Sequence, residues 1–127
     1  MKKQALVLFA HGARDSRWAS PFLRLRDMVA AQSPDISVEL AFLELMEPAL
    51  PALVERLMKE GCNQITVVPI FFGQGGHVLR DLPAMIEALR KTHPDVGLKV
   101  AEAVGENAEV LNVIASYCLS TLGGSVA

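Results

Sequence analysis

Two histidines follow apolar, strand-like runs, and their side chains could do chemistry. His11 comes directly after the run ALVLFA at residues 5–10, and His77 follows the run Ile65–Ile70 across a glycine-rich loop. Two neutral imidazoles that face one cleft suit a divalent first-row metal such as cobalt, iron, nickel or zinc. Because a closed structural site normally takes four ligands, two histidines predict a site that holds a metal loosely and can pass it on. A hydrogen-bonded loop role is the alternative interpretation for each histidine.

An acidic residue comes after the second predicted strand. Glu44 follows the run Val38–Leu43, so it is a candidate third ligand or proton acceptor, and Glu47 is the second choice. A carboxylate at this place can instead cap the following helix.

Glycines and arginines surround the two histidines. Gly75 and Gly76 precede His77, and their missing side chains would let a large flat ligand approach the backbone. Arg14 and Arg80 flank the histidines and could bind carboxylates on such a ligand, as could Arg17. A tight turn for the glycines and solvated surface charges for the arginines are the simpler alternatives.

The chain alternates predicted strands with predicted helices. The four strands are Ala5–Phe9, Val38–Leu43, Ile65–Ile70 and Leu98–Ala101. The helices begin near Ser20-Pro21, after Pro48, before Leu82 and at Glu106 or Asn107. This βα alternation predicts an α/β fold with a four-stranded parallel sheet and helices on both faces. In the fourth helix, periodic apolar residues predict a core-facing stripe of Leu111, Ile114, Ala115, Cys118 and Leu122.

The order of the strands determines where a ligand would bind. We assume the doubly wound order 2-1-3-4, in which the first and third strands are neighbours. Ligands of such sheets bind beyond the carboxyl ends of the strands, where the strand order reverses. Both histidines are therefore expected at one edge of the sheet.

Length and composition limit the classes of protein. The 127 residues predict a single domain, residues 1–122, followed by a flexible tail, residues 123–127. A net charge of −2 gives no basic surface typical of nucleic-acid binding, and no apolar run approaches the roughly 20 residues of a membrane span. Cys62 and Cys118 are far apart, which favours buried free thiols in a cytoplasmic protein. No P-loop or GxGxxG motif is present, so neither a nucleotide nor a redox cofactor is expected.

Several segments together resemble a known family. LVLFAHGARD, AFLELMEPALP, VVPIFFGQGGHVLRDLP and the AVGE before Asn107 are similar to motifs of the short-form sirohydrochlorin cobaltochelatases, of the CbiX type among class II chelatases. The similarity runs in order over nearly the whole chain. It implies a chelatase-like fold, which is a flavodoxin-like half-domain.

The resemblance also implies an activity. Members of that family insert a divalent metal, usually Co²⁺, into sirohydrochlorin for cobalamin biosynthesis, while related chelatases insert Fe²⁺ for siroheme or Ni²⁺. Their two metal-site histidines correspond to His11 and His77, and their acidic residue near the metal corresponds to Glu44. Short members are expected to form homodimers. Ala13 departs from the family, which more often has serine there, so a hydrogen bond from that position is lost.

Two other classes of function remain open. His11-Gly12 resembles phosphatases with a histidine nucleophile, but Ala10 stands where their phosphate-binding arginine would be. A non-catalytic carrier of metal or tetrapyrrole would use the same two histidines.

Overall fold

The computed structural model of the protein describes residues 4–73 and 76–123, and the second range includes side chains from residue 80 onward. The strands are β1 (Gln4–Ala10), β2 (Ser37–Phe42), β3 (Gln64–Pro69) and β4 (Gly97–Val100). The helices are α1 (Ser20–Gln32), α2 (Leu50–Lys59), α3 (Gly76–Thr92) and α4 (Ala108–Ser120). Short 3₁₀ turns lie at Ser16–Ala19, Val104–Glu106 and Thr121–Gly123.

The sheet has the predicted order. Its strands lie as β2-β1-β3-β4, and each neighbouring pair is parallel. Since β1 pairs with β2 on one side and β3 on the other, the strand order reverses beside β1. The carboxyl ends of β1 and β3 are therefore adjacent, as predicted.

Side chains alternate between the two faces of the sheet. Val7 and Phe9 of β1 join a core that includes Leu50, Leu53 and Leu57 of α2 and the buried residues of α3. Leu8 and Ala10 point the other way into a second, smaller core, against which Phe22 of α1 packs. Helices thus cover both faces, because an all-parallel sheet exposes apolar side chains on each.

Helix α3 starts earlier than the sequence indicates. It begins at Gly76, so the backbones of Gly76 and His77 belong to its first turn and not to a loop beyond the strand. Pro83 lies inside the helix, although proline favours a first turn. Glycine and proline both have a low helix propensity, so local propensity alone would favour a helix that starts after these glycines. The packing of the helix in the fold overrides that preference.

The predicted core stripe of α4 is wrong. Residues Leu111, Ile114, Ala115, Cys118 and Leu122 are all exposed, and α4 has no buried residue among those described. The predicted burial of a free thiol is therefore wrong for Cys118, whereas it is confirmed for Cys62. Apolar periodicity indicates that a face needs cover, but it does not say which surface supplies that cover.

No helix among the described residues is both long and apolar enough to cross a membrane.

Candidate active site

His11 and Glu44 lie side by side where β1 and β2 end. The last paired residues of the two strands are Ala10 and Phe42. Beyond them the amide of Leu43 donates to the Ala10 carbonyl at 2.9 Å, and the amide of Glu44 donates to the His11 carbonyl at 3.1 Å. These bonds hold the two connections together past the sheet, so the backbones of His11 and Glu44 are adjacent at its carboxyl edge.

Gly12 makes this close approach possible. Its φ is +98°, and a Cβ built on it would lie 1.8 Å from the Glu44 carbonyl oxygen. Only a residue without a side chain can occupy that space in the left-handed region. Gly12 therefore determines how near His11 comes to Glu44.

His11 is an exposed residue at the carboxyl edge of the sheet. Its Nδ1 lies 3.2 Å from the Gly12 carbonyl oxygen. A hydrogen bond to a carbonyl requires the proton to be on Nδ1, and this leaves the Nε2 lone pair for a metal. The arrangement suits a ligand that exchanges its metal with solvent.

Glu44 is also on the surface, in the connection between β2 and α2. The N-cap position of α2 is occupied by Ala49, which makes no side-chain capping bond. Ala49, and not Glu44, therefore occupies the N-cap position of α2. The next residue, Leu45, has a φ of +67° and a side chain 58% exposed. Few leucines adopt this region, so the connection holds Leu45 outward.

Arg14 lies on the His11 side of the site, and Arg80 lies in α3. Arg14 is exposed and lines a cavity of about 870 Å³ that also contacts Arg26 and Glu47. Arg80 is exposed, with its Nε 3.8 Å from an Asp81 carboxylate oxygen. Both guanidinium groups are accessible to an anionic ligand.

Arg17 is already engaged with a neighbouring acid. Its guanidinium Nη2 donates to Asp15 Oδ2 at 2.7 Å, and its backbone amide donates to Asp15 Oδ1 at 2.9 Å. The side-chain bond, and then the backbone bond, lower the pKa of Asp15. Arg17 thus fixes the start of the turn before α1, and it is less suited to ligand binding than Arg14.

Sequence reasoning missed two exposed apolar residues near the site, Phe72 and Leu45. Phe71 is buried, with its ring centroid 5.8 Å from that of Phe9, whereas Phe72 is 67% exposed. The Gly105 amide donates to the Phe71 carbonyl at 3.0 Å, and a Cβ on Gly105 would lie 2.0 Å from the Phe72 carbonyl oxygen. The backbone of Phe72 is therefore held tightly at the carboxyl edge. The signal in the sequence was the pair of adjacent aromatic residues directly after the third predicted strand.

Three predicted positions fall wholly or partly outside the description. Gly75 and the side chain of His77 lie outside the described residues, and for Gly76 only the backbone in α3 is described. Among the side chains that are described, no group of three His, Cys, Asp or Glu residues could hold a metal ion.

Curated relatives of the chain are sirohydrochlorin chelatases. A family model described as CbiX matches residues 5–119. The sirohydrochlorin cobaltochelatase of Methanocaldococcus jannaschii is 31% identical over 71% of this chain and 63% of its own length. That of Sulfolobus acidocaldarius is 28% identical over 94% of this chain and 96% of its own length. The sirohydrochlorin ferrochelatase of Bacillus subtilis is 27% identical over 88% of this chain but only 43% of its own length.

Solved structures show the same fold in chains of two sizes. The CbiX protein of Marinobacter aquaeolei VT8 superposes with a TM-score of 0.83 and 34% identity, covering 96% of this chain and 99% of that one. SirB from Bacillus subtilis with Fe³⁺ gives a TM-score of 0.75 and 26% identity, covering 90% of this chain and 45% of that one. The chain therefore spans about half the length of its longer relatives.

Proposed function

Because the chain belongs to the CbiX family, we propose that it is a sirohydrochlorin chelatase that inserts Co²⁺ into the tetrapyrrole. The observation that carries the proposal is the backbone contact that places His11 beside Glu44 at the carboxyl edge of β1 and β2. A metal ligand and a carboxylate base are the two groups that this reaction needs at one place. The product would serve cobalamin biosynthesis or, with iron, siroheme biosynthesis.

The chemistry divides between the two side chains. Insertion exchanges one divalent metal for the two pyrrole N–H protons, so two protons must leave for each metal that enters. His11 Nε2, with His77 as the second ligand, would hold the metal substrate while water fills its other positions. Glu44 would take a pyrrole proton and pass it to solvent, which its exposed position allows.

The surroundings suit a flat, anionic substrate. Leu45 and Phe72 hold apolar side chains outward at the carboxyl edge, where they could contact the macrocycle. Arg14 and Arg80 are exposed guanidinium groups that could bind its peripheral carboxylates. We propose that Gly75 and Gly76, which have no side chains, leave room for the macrocycle to approach the backbone.

We also propose that the working form is a homodimer. The chain covers 45% of SirB, whose single chain is about twice as long. A second copy would supply the other half of a cleft large enough for a tetrapyrrole, and a closed pair of identical chains would be isologous.

The proposal is tested by incubating the purified protein with sirohydrochlorin and Co²⁺, Fe²⁺ or Ni²⁺ and following the change in the tetrapyrrole absorption spectrum. We expect catalytic insertion of Co²⁺ over many turnovers and slower insertion of the other two metals. Binding of metal and tetrapyrrole without turnover would make the protein a carrier. Hydrolysis of a phosphate ester without insertion would make it a phosphatase.

Glu44→Gln should lower the insertion rate by about 10²- to 10³-fold while Co²⁺ binding changes less than about threefold. Glutamine keeps the size and polarity of the side chain but cannot accept a proton. Single-turnover insertion and Co²⁺ titration separate the two effects, and Glu47→Gln is the matched control in the same connection. Insertion at the parent rate from pH 6 to 9 would transfer the base role to a histidine, Glu47 or water.

A further inference from the structure

A short 3₁₀ turn, Val104–Glu106, lies between β4 and α4, and its central residue, Gly105, contacts the connection that follows β3. The Gly105 amide donates to the Phe71 carbonyl at 3.0 Å. A Cβ built on Gly105 would lie 2.0 Å from the carbonyl oxygen of Phe72 and 2.6 Å from its carbonyl carbon and Cα. The backbone of Phe72 therefore occupies the space that any residue other than glycine would need for its side chain at position 105.

The turn that contains Gly105 is fixed at both ends. On one side, Ala103 is 2% exposed and belongs to the larger core. On the other side, Asn107 caps α4 by accepting from the Val110 amide at 3.1 Å, and its Nδ2 donates to Glu102 at 2.7 Å. Because the bond from Asn107 to Glu102 joins the two ends of the turn, the turn has little freedom to move.

The connection after β3 is anchored on one side of Phe72 and open on the other. Phe71 is buried, and its ring packs edge-on against that of Phe9, with the ring planes at 78°. After Phe72, a Cβ on Gly73 would meet nothing within 4 Å in the described structure. A side chain at position 105 would therefore displace the Phe72 backbone towards this open side, and the Phe72 ring with it.

The exposed ring of Phe72 lies at the carboxyl edge of the sheet, beyond the end of β3 at Pro69. The carboxyl ends of β1 and β3 are adjacent there. A phenyl ring offers a flat apolar surface on which a conjugated macrocycle can stack. Because stacking depends on the position and the tilt of the ring, a fixed Phe72 backbone gives this surface a defined place at the edge.

We propose that Gly105 is a positioning residue for tetrapyrrole binding. By leaving room for the Phe72 backbone, it holds the Phe72 ring where one face of the macrocycle stacks on it. Gly105 acts through Phe72 and does not itself bind the substrate. This role rests on the proposed function, because the ligand is the substrate of that reaction, and it adds the turn between β4 and α4 to the elements that form the site.

The test is an absorption titration with sirohydrochlorin of the full chain and its variants Gly105→Ala and Phe72→Ala, with KM, kcat and Co²⁺ affinity measured in parallel. Each variant should raise the dissociation constant and the KM for sirohydrochlorin by about tenfold, because each loses the stacked ring. The kcat should change by less than about threefold and the Co²⁺ dissociation constant by less than about twofold, since neither residue is a metal ligand or a base. Phe72→Tyr keeps the aromatic ring and should bind sirohydrochlorin like the parent.

The matched control is Gly97→Ala, in the same pair of strands. Gly97 begins β4 at the opposite edge of the sheet, and a Cβ there would lie 3.6 Å from the Asn63 carbonyl oxygen, which is an ordinary van der Waals contact. This variant should bind sirohydrochlorin like the parent. Parent-strength binding by Gly105→Ala, or an equal loss of binding in Gly97→Ala, would overturn the proposal.

The double variant Gly105→Ala/Phe72→Ala separates positioning from a general structural effect. If Gly105 acts through Phe72, the double variant binds sirohydrochlorin no more weakly than Phe72→Ala alone, whereas losses that multiply would overturn the proposal. Phe72→Ala removes an exposed ring and should fold, so parent-strength binding by this variant would overturn the proposal even if Gly105→Ala did not fold.

Binding and turnover separate this role from the proposed function. A parent protein that binds sirohydrochlorin without inserting Co²⁺ would end the chelatase proposal, while the titrations would still decide the role of Gly105. A parent protein that inserts Co²⁺, with unchanged sirohydrochlorin binding in Gly105→Ala, would end the positioning role alone.

Discussion

His11→Ala should reduce Co²⁺ insertion by about 100-fold or more while the fold is preserved. The imidazole belongs to an exposed residue beyond the end of β1, and its described bond is to the carbonyl of the next residue, Gly12. Its loss therefore removes a metal ligand without opening a cavity in the core. The measurements are the insertion rate with sirohydrochlorin, the dissociation constant for Co²⁺ and the melting temperature.

The matched control for this change is His93→Ala. His93 follows the last residue of α3, far along the chain from the site, and should leave insertion unchanged. His77→Ala is expected to behave like His11→Ala. Near-normal turnover in either site variant would show that the two-histidine site is wrong, and equal losses in all three variants would indicate a general effect of removing imidazoles.

Acid should have a related effect on the parent protein. Protons compete with the metal for an imidazole nitrogen, so both Co²⁺ binding and insertion should fall as the pH is lowered.

The sheet order could be predicted because it follows from the alternation of strands and helices. Strand and helix periods differ, crossovers are right-handed, and ligands lie where the strand order reverses. The βα pattern therefore predicts the carboxyl ends of β1 and β3 side by side, and the observed strand order agrees. Local sequence patterns are sufficient to predict which face of each element is buried and in which order the strands lie.

The start of α3 and the environment of α4 could not be predicted, for different physical reasons. Gly76 and Pro83 each disfavour a helix that includes both, and the packing of Leu82, Ile86 and Leu89 in the core offsets that local cost. For α4 the apolar period predicts a surface that needs cover, but none of its residues is buried by the part of the chain that the structure describes. A sequence pattern indicates that a surface is apolar, but it does not indicate whether the same chain or a second chain covers that surface.

The spacing between His11 and Glu44 was equally invisible in the sequence. Gly12 was visible only as part of a motif, and its function depends on a carbonyl that comes 32 positions later in the chain, that of Glu44. Positive φ and a missing Cβ act together there, so the glycine determines the distance between a proposed ligand and a proposed base. Gly12, which has no reactive side chain, thus determines the relative position of His11 and Glu44, which do.

Gly12→Ala should consequently damage both the stability and the activity of the protein. The new Cβ would lie 1.8 Å from the Glu44 carbonyl oxygen at a φ of +98°, so the two connections must separate and the bond from the Glu44 amide to the His11 carbonyl must break. We expect a loss of about 3 kcal/mol in the free energy of unfolding and a fall of about 10 °C in melting temperature. Insertion by the folded fraction should fall by at least about tenfold, because His11 and Glu44 no longer share one geometry.

Gly73→Ala provides the matched control, since a Cβ on Gly73 meets nothing within 4 Å of the described structure. It should change the free energy of unfolding by less than about 0.5 kcal/mol. If Gly12→Ala melts and inserts Co²⁺ like Gly73→Ala, the contact between the two connections does not set the spacing of the site. If Gly12→Ala loses stability but keeps its turnover per folded molecule, His11 and Glu44 act independently, and the proton acceptor must be sought elsewhere.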